Sequence, residues 1–339
     1  MKEITSLLKI KEDFLMSTRT DLLKLLSENT GIYLSGQKIG EELKVSRNAI
    51  WKAMQQLREE GYNIESKPST GYRLKSKTNM LTVDAVAGDL AFPCDLQIFD
   101  TVDSTNNVAK ELPLKDKPMM VIANKQTGGR GRLGRSFASP AGTGLYLTIA
   151  LQPEFDLDKA LYVTMAAAVA VCRAIETVAG VKTKIKWVND LFYNNKKICG
   201  ILTEAQTNFE NGKIDSLIIG IGVNCFPGSF PEELSGIAGC LSQKKNSFSR
   251  GRLAAEIFNE TVTVLEDLQS KAFLREYRTK CFVLGKNILV HPNLSDNAIK
   301  ARAIDIDENG GLVVEYLEGR KARQMETLTT GEVSIKLDV

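Results

Sequence analysis

The chain predicts an α+β multidomain protein with three parts. These are an N-terminal winged helix-turn-helix, a central α/β domain around a mixed sheet, and a small C-terminal β-barrel. Three observations carry this prediction. Residues 17–77 read as short helices followed by two strands, residues 80–280 alternate strands and helices, and residues 281–339 hold short strands separated by turn motifs. A length of 339 residues exceeds one typical domain. With 43% hydrophobic residues, no run near 18 apolar residues and no evident signal peptide, the expectation is a soluble, cytoplasmic protein with no membrane partner.

In the first part, Leu22, Leu23, Leu25 and Leu26 fall at helical spacing before Asn29-Thr30-Gly31 breaks the pattern. Ser35 caps a second helix that buries Ile39 and Leu43. After the turn Lys44-Val45, Ser46 caps a third helix running to Glu60, with Gly61 at the position that favours a left-handed residue. Ile50, Met54 and Leu57 share one face of that helix. Arg47, Asn48, Lys52, Gln55 and Gln56 project from the rest and are the residue types that read base edges in a major groove. Residues 62–66 and 71–74 pair as a wing across Lys67-Pro68-Ser69-Thr70. Net charge supports a DNA partner, because residues 17–77 carry 11 Lys/Arg against 7 Asp/Glu, whereas 78–339 carry 30 against 31. A three-helix packing module with a solvated face is the competing reading. Residues 1–16 match nothing in this module, so Met16-Ser17 reads as an alternative start, and Lys75-Ser76-Lys77-Thr78-Asn79 reads as a linker.

In the second part, strands are expected at 96–102, 121–126, 145–151, 184–188, 197–204 and 216–223, with an Ala-rich helix over about 159–178. Six cysteines without C-x-x-C spacing read as reduced thiols. The single histidine, His291, argues against a His-based zinc site or a Ser-His-Asp triad, and no metal ligands are assigned. In the third part, strands are expected at 284–290, 299–306, 311–316 and 333–335. Asp-Glu-Asn-Gly and Glu-Gly turns between them suggest an SH3-like barrel.

The most informative local feature is Gly128-Gly129-Arg130-Gly131-Arg132-Leu133-Gly134-Arg135, four glycines and three arginines in eight residues after a strand. Glycine permits positive φ and close approach of backbone N–H groups to a ligand, and interleaved guanidiniums offer bidentate donors to phosphate or carboxylate. A solvated linker favours Gly and Ser without arginines, and an arginine-glycine RNA tract is long and repetitive. Nothing matches G-x-x-x-x-G-K-[ST], and no helix is expected to follow the loop as a dinucleotide fingerprint requires.

Four further segments are read as converging on that loop. Asp103-Ser104-Thr105-Asn106 follows a strand and either caps a helix or supplies short hydrogen-bonding side chains to a ureido or amide group. Trp187-Val188-Asn189-Asp190 either turns the chain or stacks on and reads an adenine, its carboxylate orienting an arginine or Mg²⁺. Lys196-Lys197-Ile198-Cys199-Gly200 puts a lysine within reach of a phosphate or acyl oxygen, or leaves it solvated. Alternate glycines in Gly220-Ile221-Gly222-Val223-Asn224 indicate close approach of backbone or ligand.

Taken in order, these segments with Gln126, the Gly-Arg loop and Lys197 through Glu204 closely resemble bacterial biotin protein ligase. With the winged module, the chain resembles the bifunctional form that also represses biotin genes. The resemblance spans nearly everything from about residue 17. It implies a class II synthetase-like ligase domain that joins biotin and Mg·ATP into biotinyl-5′-adenylate and passes the biotinyl group to a lysine of a biotin carrier protein. It also implies operator DNA as a partner and a homodimer when ligand is bound. By matching position, Ser104, Thr105, Asn106 and Gln126 would hold biotin. Arg130, Gly131 and Arg132 would border biotin and the acyl-phosphate, Lys197 would contact carboxylate or anhydride oxygens, and Arg132, Arg135, Trp187 and Asn189 would lie near the nucleotide. Arg132 and Lys197 are the catalytic candidates, because adenylation must hold two anions together and needs no histidine base. Two alternatives remain: a DNA-binding biotin sensor with an inactive ligase domain, and a lipoate-type ligase of the same superfamily.

Overall fold

The computed structural model describes residues 18–59, 62–75, 81–153, 160–207, 214–228, 230–234, 236–291, 298–329 and 332–335. The expectations for Met16-Ser17, for Gly61 and for most of the 75–79 linker lie outside those residues.

Helix α1 covers 18–28, followed by α2 (Gly36–Leu43) and α3 (Arg47–Glu59). The Ser35 hydroxyl accepts from Lys38 N and the Ser46 hydroxyl from Ala49 N, so both predicted caps form. Ile39, Ile50, Ala53, Met54 and Leu57 are buried with Leu22 and Leu26 in a core of their own. The wing is an antiparallel hairpin of β1 (Ile64–Lys67) and β2 (Gly71–Leu74). A Cβ at Gly71, whose φ is +123°, would lie 2.0 Å from the Leu34 carbonyl oxygen, so glycine is required where the wing crosses the chain before α2.

The central domain is built on a seven-stranded mixed sheet of order β3-β4-β5-β9-β8-β7-β6. Its strands are β3 (Asp95–Val102), β4 (Met119–Gln126), β5 (Gly144–Leu151), β6 (Lys184–Lys186), β7 (Asp190–Tyr193), β8 (Lys196–Thr207) and β9 (Ile214–Asn224). Only β3 and β4 run parallel, joined by α5 (Thr105–Glu111), and α4 (Val83–Ala87) precedes β3. One face of the sheet is covered by α6 (Ala160–Ala179), α7 (Arg250–Glu266) and α8 (Ala272–Lys280), which bury Leu147, Ile149, Ile219 and Val223. The other face packs Val121, Ala150 and Ile218 against Ala109 of α5. Strand alternation sorts the residues: Leu217, Ile219 and Val223 point into the large core, leaving Gly220 and Gly222 on the α5 face.

The sequence reading needs three corrections. Residues 161–179 are long and apolar enough to cross a membrane by length and composition, with mean hydropathy 1.5, although no such run was expected. Two thirds of the segment is buried against the protein's own sheet and helices, as a core helix requires. The strand expected over 184–188 ends at Lys186, because Trp187–Asn189 form a turn that reverses the chain into β7. Leu284–Lys286 turns rather than extends, with Gly285 at φ +77°, and the strand starts at Asn287.

The C-terminal part is a five-stranded antiparallel sheet ordered β13-β12-β11-β10-β14, with β10 (Asn287–His291), β11 (Ile299–Ile306), β12 (Leu312–Tyr316), β13 (Met325–Leu328) and β14 (Glu332–Ile335). It shares one hydrophobic cluster with the central domain, through Ile288, Val290, Ala301 and Val314. The predicted Asp307-Glu308-Asn309-Gly310 turn docks on the central domain: Lys271 Nζ donates to Glu308 O at 3.1 Å, and Trp187 Nε1 donates to Gly310 O at 3.1 Å. All six cysteines are free thiols, as expected, and burial pushes Cys225 up to about 12 and Cys172 and Cys281 up to about 11.

A buried polar line crosses the domain boundary. Arg250 is fully buried and donates to Gly144 O at 2.7 Å and Asn124 Oδ1 at 3.2 Å. Asn124 Oδ1 also accepts from Gly142 N, and its Nδ2 donates to Asp100 Oδ1 at 3.2 Å. Asp100 in turn receives both terminal nitrogens of Arg19 on α1, at 2.8 and 3.0 Å. Replacing the guanidinium takes the donor from the buried Gly144 carbonyl, at about 1–3 kcal/mol, and removes one of two donors from Asn124 Oδ1, which keeps the Gly142 N–H. Arg250→Met is therefore expected to lower unfolding free energy in urea by about 2–4 kcal/mol. A loss below about 1 kcal/mol would show that the acceptors find other partners.

Candidate functional site

The site forms where the β4–β5 connection folds over the α5 face of β8 and β9. The Gly-Arg loop leaves β4 at Gln126 and is braced at several points. Thr127 N and Gly128 N donate to Val102 O and Asp103 O, Gly131 N to Arg135 O, and Phe137 N to Gly129 O. These bonds make the loop a hairpin-like turn in which the Gly128 and Gly131 amides are engaged within the protein. Only Gly134 in it has positive φ, +75°. Gly129 is needed for closeness instead, since a Cβ there would lie 2.5 Å from Phe137 O. A short 3₁₀ turn, Arg132–Gly134, aims the middle of the loop across the sheet.

Ser104, Thr105, Asn106, Gln126, Arg130, Gly131, Arg132, Arg135, Trp187, Asn189 and Lys197 all line one cavity of about 400 Å³. The eleven ligand-site residues named from the sequence therefore meet in space. Gly200, Gly220 and Gly222 clear its floor. A Cβ at Gly220 would meet Asn106 Oδ1 at 2.3 Å and one at Gly222 the Phe137 ring at 2.5 Å, so the close approach inferred from alternate glycines is made by these two side chains.

At one end the lining is cationic. Arg132 Nη1 donates to Asn189 Oδ1 at 3.3 Å, while Asn189 Nδ2 donates to Ile201 O at 2.7 Å, so Asn189 is a bracket between strand and arginine. Lys197 Nζ lies 2.6 Å from Asp190 Oδ1, both partly buried. Asp190 thus orients a lysine, where the sequence reading had it orient an arginine or Mg²⁺. Trp187 is 4% exposed and its indole N–H is engaged by Gly310 O. It borders the cavity as a wall fixed by the C-terminal sheet.

At the other end the lining is a hydrogen-bonded polar cluster. Ser104 occupies the N-cap position of α5, but its side chain makes no capping bond. Gln126 Oε1 takes the Thr105 N–H instead, at 2.9 Å, and Gln126 Nε2 donates to Ser139 Oγ at 2.9 Å. Thr148 Oγ1 on β5 is 2.8 Å from Thr105 Oγ1 and 2.6 Å from Asn106 Oδ1. Asn106 Nδ2 and Lys110 Nζ each donate to the Glu204 carboxylate at 2.7 Å. Burial opposes ionisation of Glu204, yet the Lys110 and Asn106 hydrogen bonds outweigh it and hold the carboxyl below its usual range.

Sequence reasoning missed Thr148, Lys110, Phe137 and the segment near Ile237, whose carbonyl accepts from Lys197 N at 2.9 Å. Thr148 lies inside an apolar strand with no motif around it. The one available signal was its break in the hydrophobic run 145–151. Glu204 was quoted within a motif and given no role.

On α3, Arg47, Asn48, Trp51 and Lys52 are exposed and share one face by i, i+4 spacing, whereas Gln55 and Gln56 are half-buried. Gln56 is a correction. Three residues after Ala53, it borders the core, and its buried Oε1 has no hydrogen-bond partner among the described residues. Trp51, 52% exposed, was not named from the sequence.

Comparison with known proteins agrees with this geometry. Residues 98–224 match the biotin/lipoate A/B protein ligase family, residues 283–336 the biotin protein ligase C-terminal domain, and residues 18–73 a helix-turn-helix domain. The chain is 36% identical over 312 residues to the bifunctional ligase/repressor BirA of Bacillus subtilis, covering 89% of this chain and 95% of that protein. It is 29% identical over 308 residues to the Escherichia coli protein of the same description, covering 88% and 94%. The structure of a biotin protein ligase from Aquifex aeolicus in complex with biotin and ATP aligns with TM-score 0.59 at 27% identity, over 71% of this chain and 98% of that one. The chain belongs to the biotin protein ligase family, among its bifunctional ligase/repressors.

Proposed function

We propose that the protein activates biotin with Mg·ATP to biotinyl-5′-AMP, transfers biotin to a lysine of a biotin carrier protein, and represses biotin genes by binding operator DNA as a ligand-linked homodimer. The observation that carries the catalytic reading is the single cavity with a hydrogen-bonded polar cluster at one end and Arg132 and Lys197 at the other. Ser104, Thr105, Asn106 and Gln126 serve the ureido ring of biotin. Arg130 and Gly131 border the chain, and Arg132, Arg135, Trp187 and Asn189 flank the nucleotide.

In the first step a biotin carboxylate oxygen attacks the α-phosphorus, and pyrophosphate leaves with the electron pair of the broken P–O bond. Arg132 and Lys197 offset repulsion between the two anions and stabilise charge on the phosphorane oxygens. Their partners Asn189 and Asp190 hold them in place beforehand, which removes reorganisation from the barrier. In the second step the carrier lysine amine attacks the acyl carbon, and AMP departs as the C–O bond breaks. No group of three or more His, Cys, Asp or Glu that could hold a metal occurs among the described residues. Mg²⁺ would enter with ATP and would supply charge neutralisation to its phosphates. Intact Arg132 and Lys197 favour this reading over an inactive sensor.

The finer architecture belongs to the same proposal: domains at 17–77, 80–280 and 281–339, a class II synthetase-like central fold, and an SH3-like C-terminal barrel, the last supported by β14 returning to pair with β10. A cytoplasmic location follows from the nature of the partners.

Biotin-dependent exchange of pyrophosphate into ATP tests the ligase reading, and absence of exchange would overturn it. Arg132→Ala is expected to lower the exchange rate constant about 10²–10³-fold, the usual value of one preorganised donor to a developing anion. Asn189→Ala, which releases that arginine without removing it, should fall well short of that loss. For the DNA face, Lys52→Ala should weaken operator binding uniformly across sequences and reduce the slope of log K against log salt by about 1. An unchanged slope would take Lys52 off the phosphate backbone.

A further inference from the structure

Glu204 sits at the far end of the polar cluster from Gln126, and its effect travels along hydrogen bonds. Three short contacts link four side chains: Glu204 to Asn106 at 2.7 Å, Asn106 to Thr148 at 2.6 Å, and Thr148 to Thr105 at 2.8 Å. Each hydroxyl has one proton and each amide has a donor end and an acceptor end, so the protons must be shared consistently.

An ionised carboxylate only accepts, so Glu204 fixes the Asn106 amide with Nδ2 toward itself and Oδ1 toward Thr148. Oδ1 also only accepts. The Thr148 proton must therefore lie in the 2.6 Å contact, which leaves the Thr105 proton as the one available for the 2.8 Å contact. Gln126 Oε1, 3.1 Å from Thr105 Oγ1, is a second acceptor within reach of that proton, but it already accepts the Thr105 backbone N–H at 2.9 Å, whereas the shorter 2.8 Å contact to Thr148 has no other proton to fill it. With its proton committed to Thr148, the Thr105 hydroxyl on the cavity wall is an acceptor only. The depressed acidity range of Glu204 keeps this arrangement in force at neutral pH.

We propose that Glu204 is a positioning residue for substrate selection: through Asn106 and Thr148 it makes the Thr105 hydroxyl a hydrogen-bond acceptor, so that the cavity selects a ring bearing an N–H donor at that point. The inference rests on the biotin reading above, and it adds a reason why the ureido ring is preferred over rings without a donor. Loss of the negative charge lets the Asn106 amide reverse. The chain then reverses with it, and Thr105 regains a proton it can turn into the cavity.

The test is calorimetric binding to the full chain without ATP, using biotin and the two cyclic carbamate analogues in which one ureido N–H is replaced by oxygen. Wild-type protein that binds no biotin refutes the functional reading itself, before the role of Glu204 arises. If it binds biotin, Glu204→Gln is expected to reduce the preference for biotin over the more strongly rejected carbamate by about tenfold, the value of one hydrogen bond. The KM for ATP should stay within about twofold. Thr148→Val cuts the same chain without touching a charge and should produce the same loss, which covers the case of a poorly folding Glu204 variant. Lys110→Met removes the other partner of Glu204 and should leave the preference intact. A preference unchanged in both Glu204→Gln and Thr148→Val, or lost equally in Lys110→Met, overturns the proposal.

Discussion

The buried guanidinium of Arg250 is the constraint on which the rest of the molecule depends. Taking this charge out of water is costly, and it is tolerable only because carbonyl and amide oxygens surround it. Those oxygens belong to Gly144, the first residue of β5, and to Asn124 near the end of β4. The charge on α7 therefore fixes both ends of the connection that carries the Gly-Arg loop. Asn124 passes the constraint on to Asp100 and so to Arg19 of the helix-turn-helix part. One line of polar contacts links the substrate loop, the sheet and the helix-turn-helix part.

Around that frame, the chemistry is separated by distance along the sheet. Lateral register sets Asp190, Gly200, Gly222 and Tyr146 side by side in one row, and Leu202, Gly220 and Thr148 in the next. The first row brings up the cationic end, since Asp190 holds Lys197. The second brings up the hydrogen-bonded polar end, since Thr148 serves Asn106 and Thr105. Glycine in both rows leaves room above the strands, and Phe137 and Asn106 lie across it. The large core on the opposite face gives these rows a rigid base, because side chains there are close-packed against α6, α7 and α8.

Much of this was legible in the sequence. The capped helices of the winged module, the Ala-rich α6, the long strands β8 and β9 and the Gly-Arg loop each carry a local signal in cap, period or composition. The misses have a common physical origin in partners remote along the chain. Nothing near Trp187 along the chain shows that its indole N–H is taken by Gly310, 123 residues away. Gln56 reads as a freely exposed side chain until the Ala53 face beside it is found in one core with Leu22 and Leu26. The Gly128 amide looks open to a ligand until its acceptor, Asp103 O just past the end of β3, is found. Strands β7 and β13, four residues each, are too short to show a period.

By itself the sequence determined the kinds of element and the division into a basic N-terminal module and a near-neutral remainder, which are local properties set by propensity, capping and side-chain type within a few residues. The ligand-site residues were named by the resemblance of short motifs to a family. Only the tertiary structure decided which of those groups face one another, which donors are already engaged, and which way the hydrogen bonds from Glu204 to Thr105 run. Those depend on strand register and on the packing of the loop over the sheet, where contacts form between residues far apart along the chain and no local pattern encodes the partner.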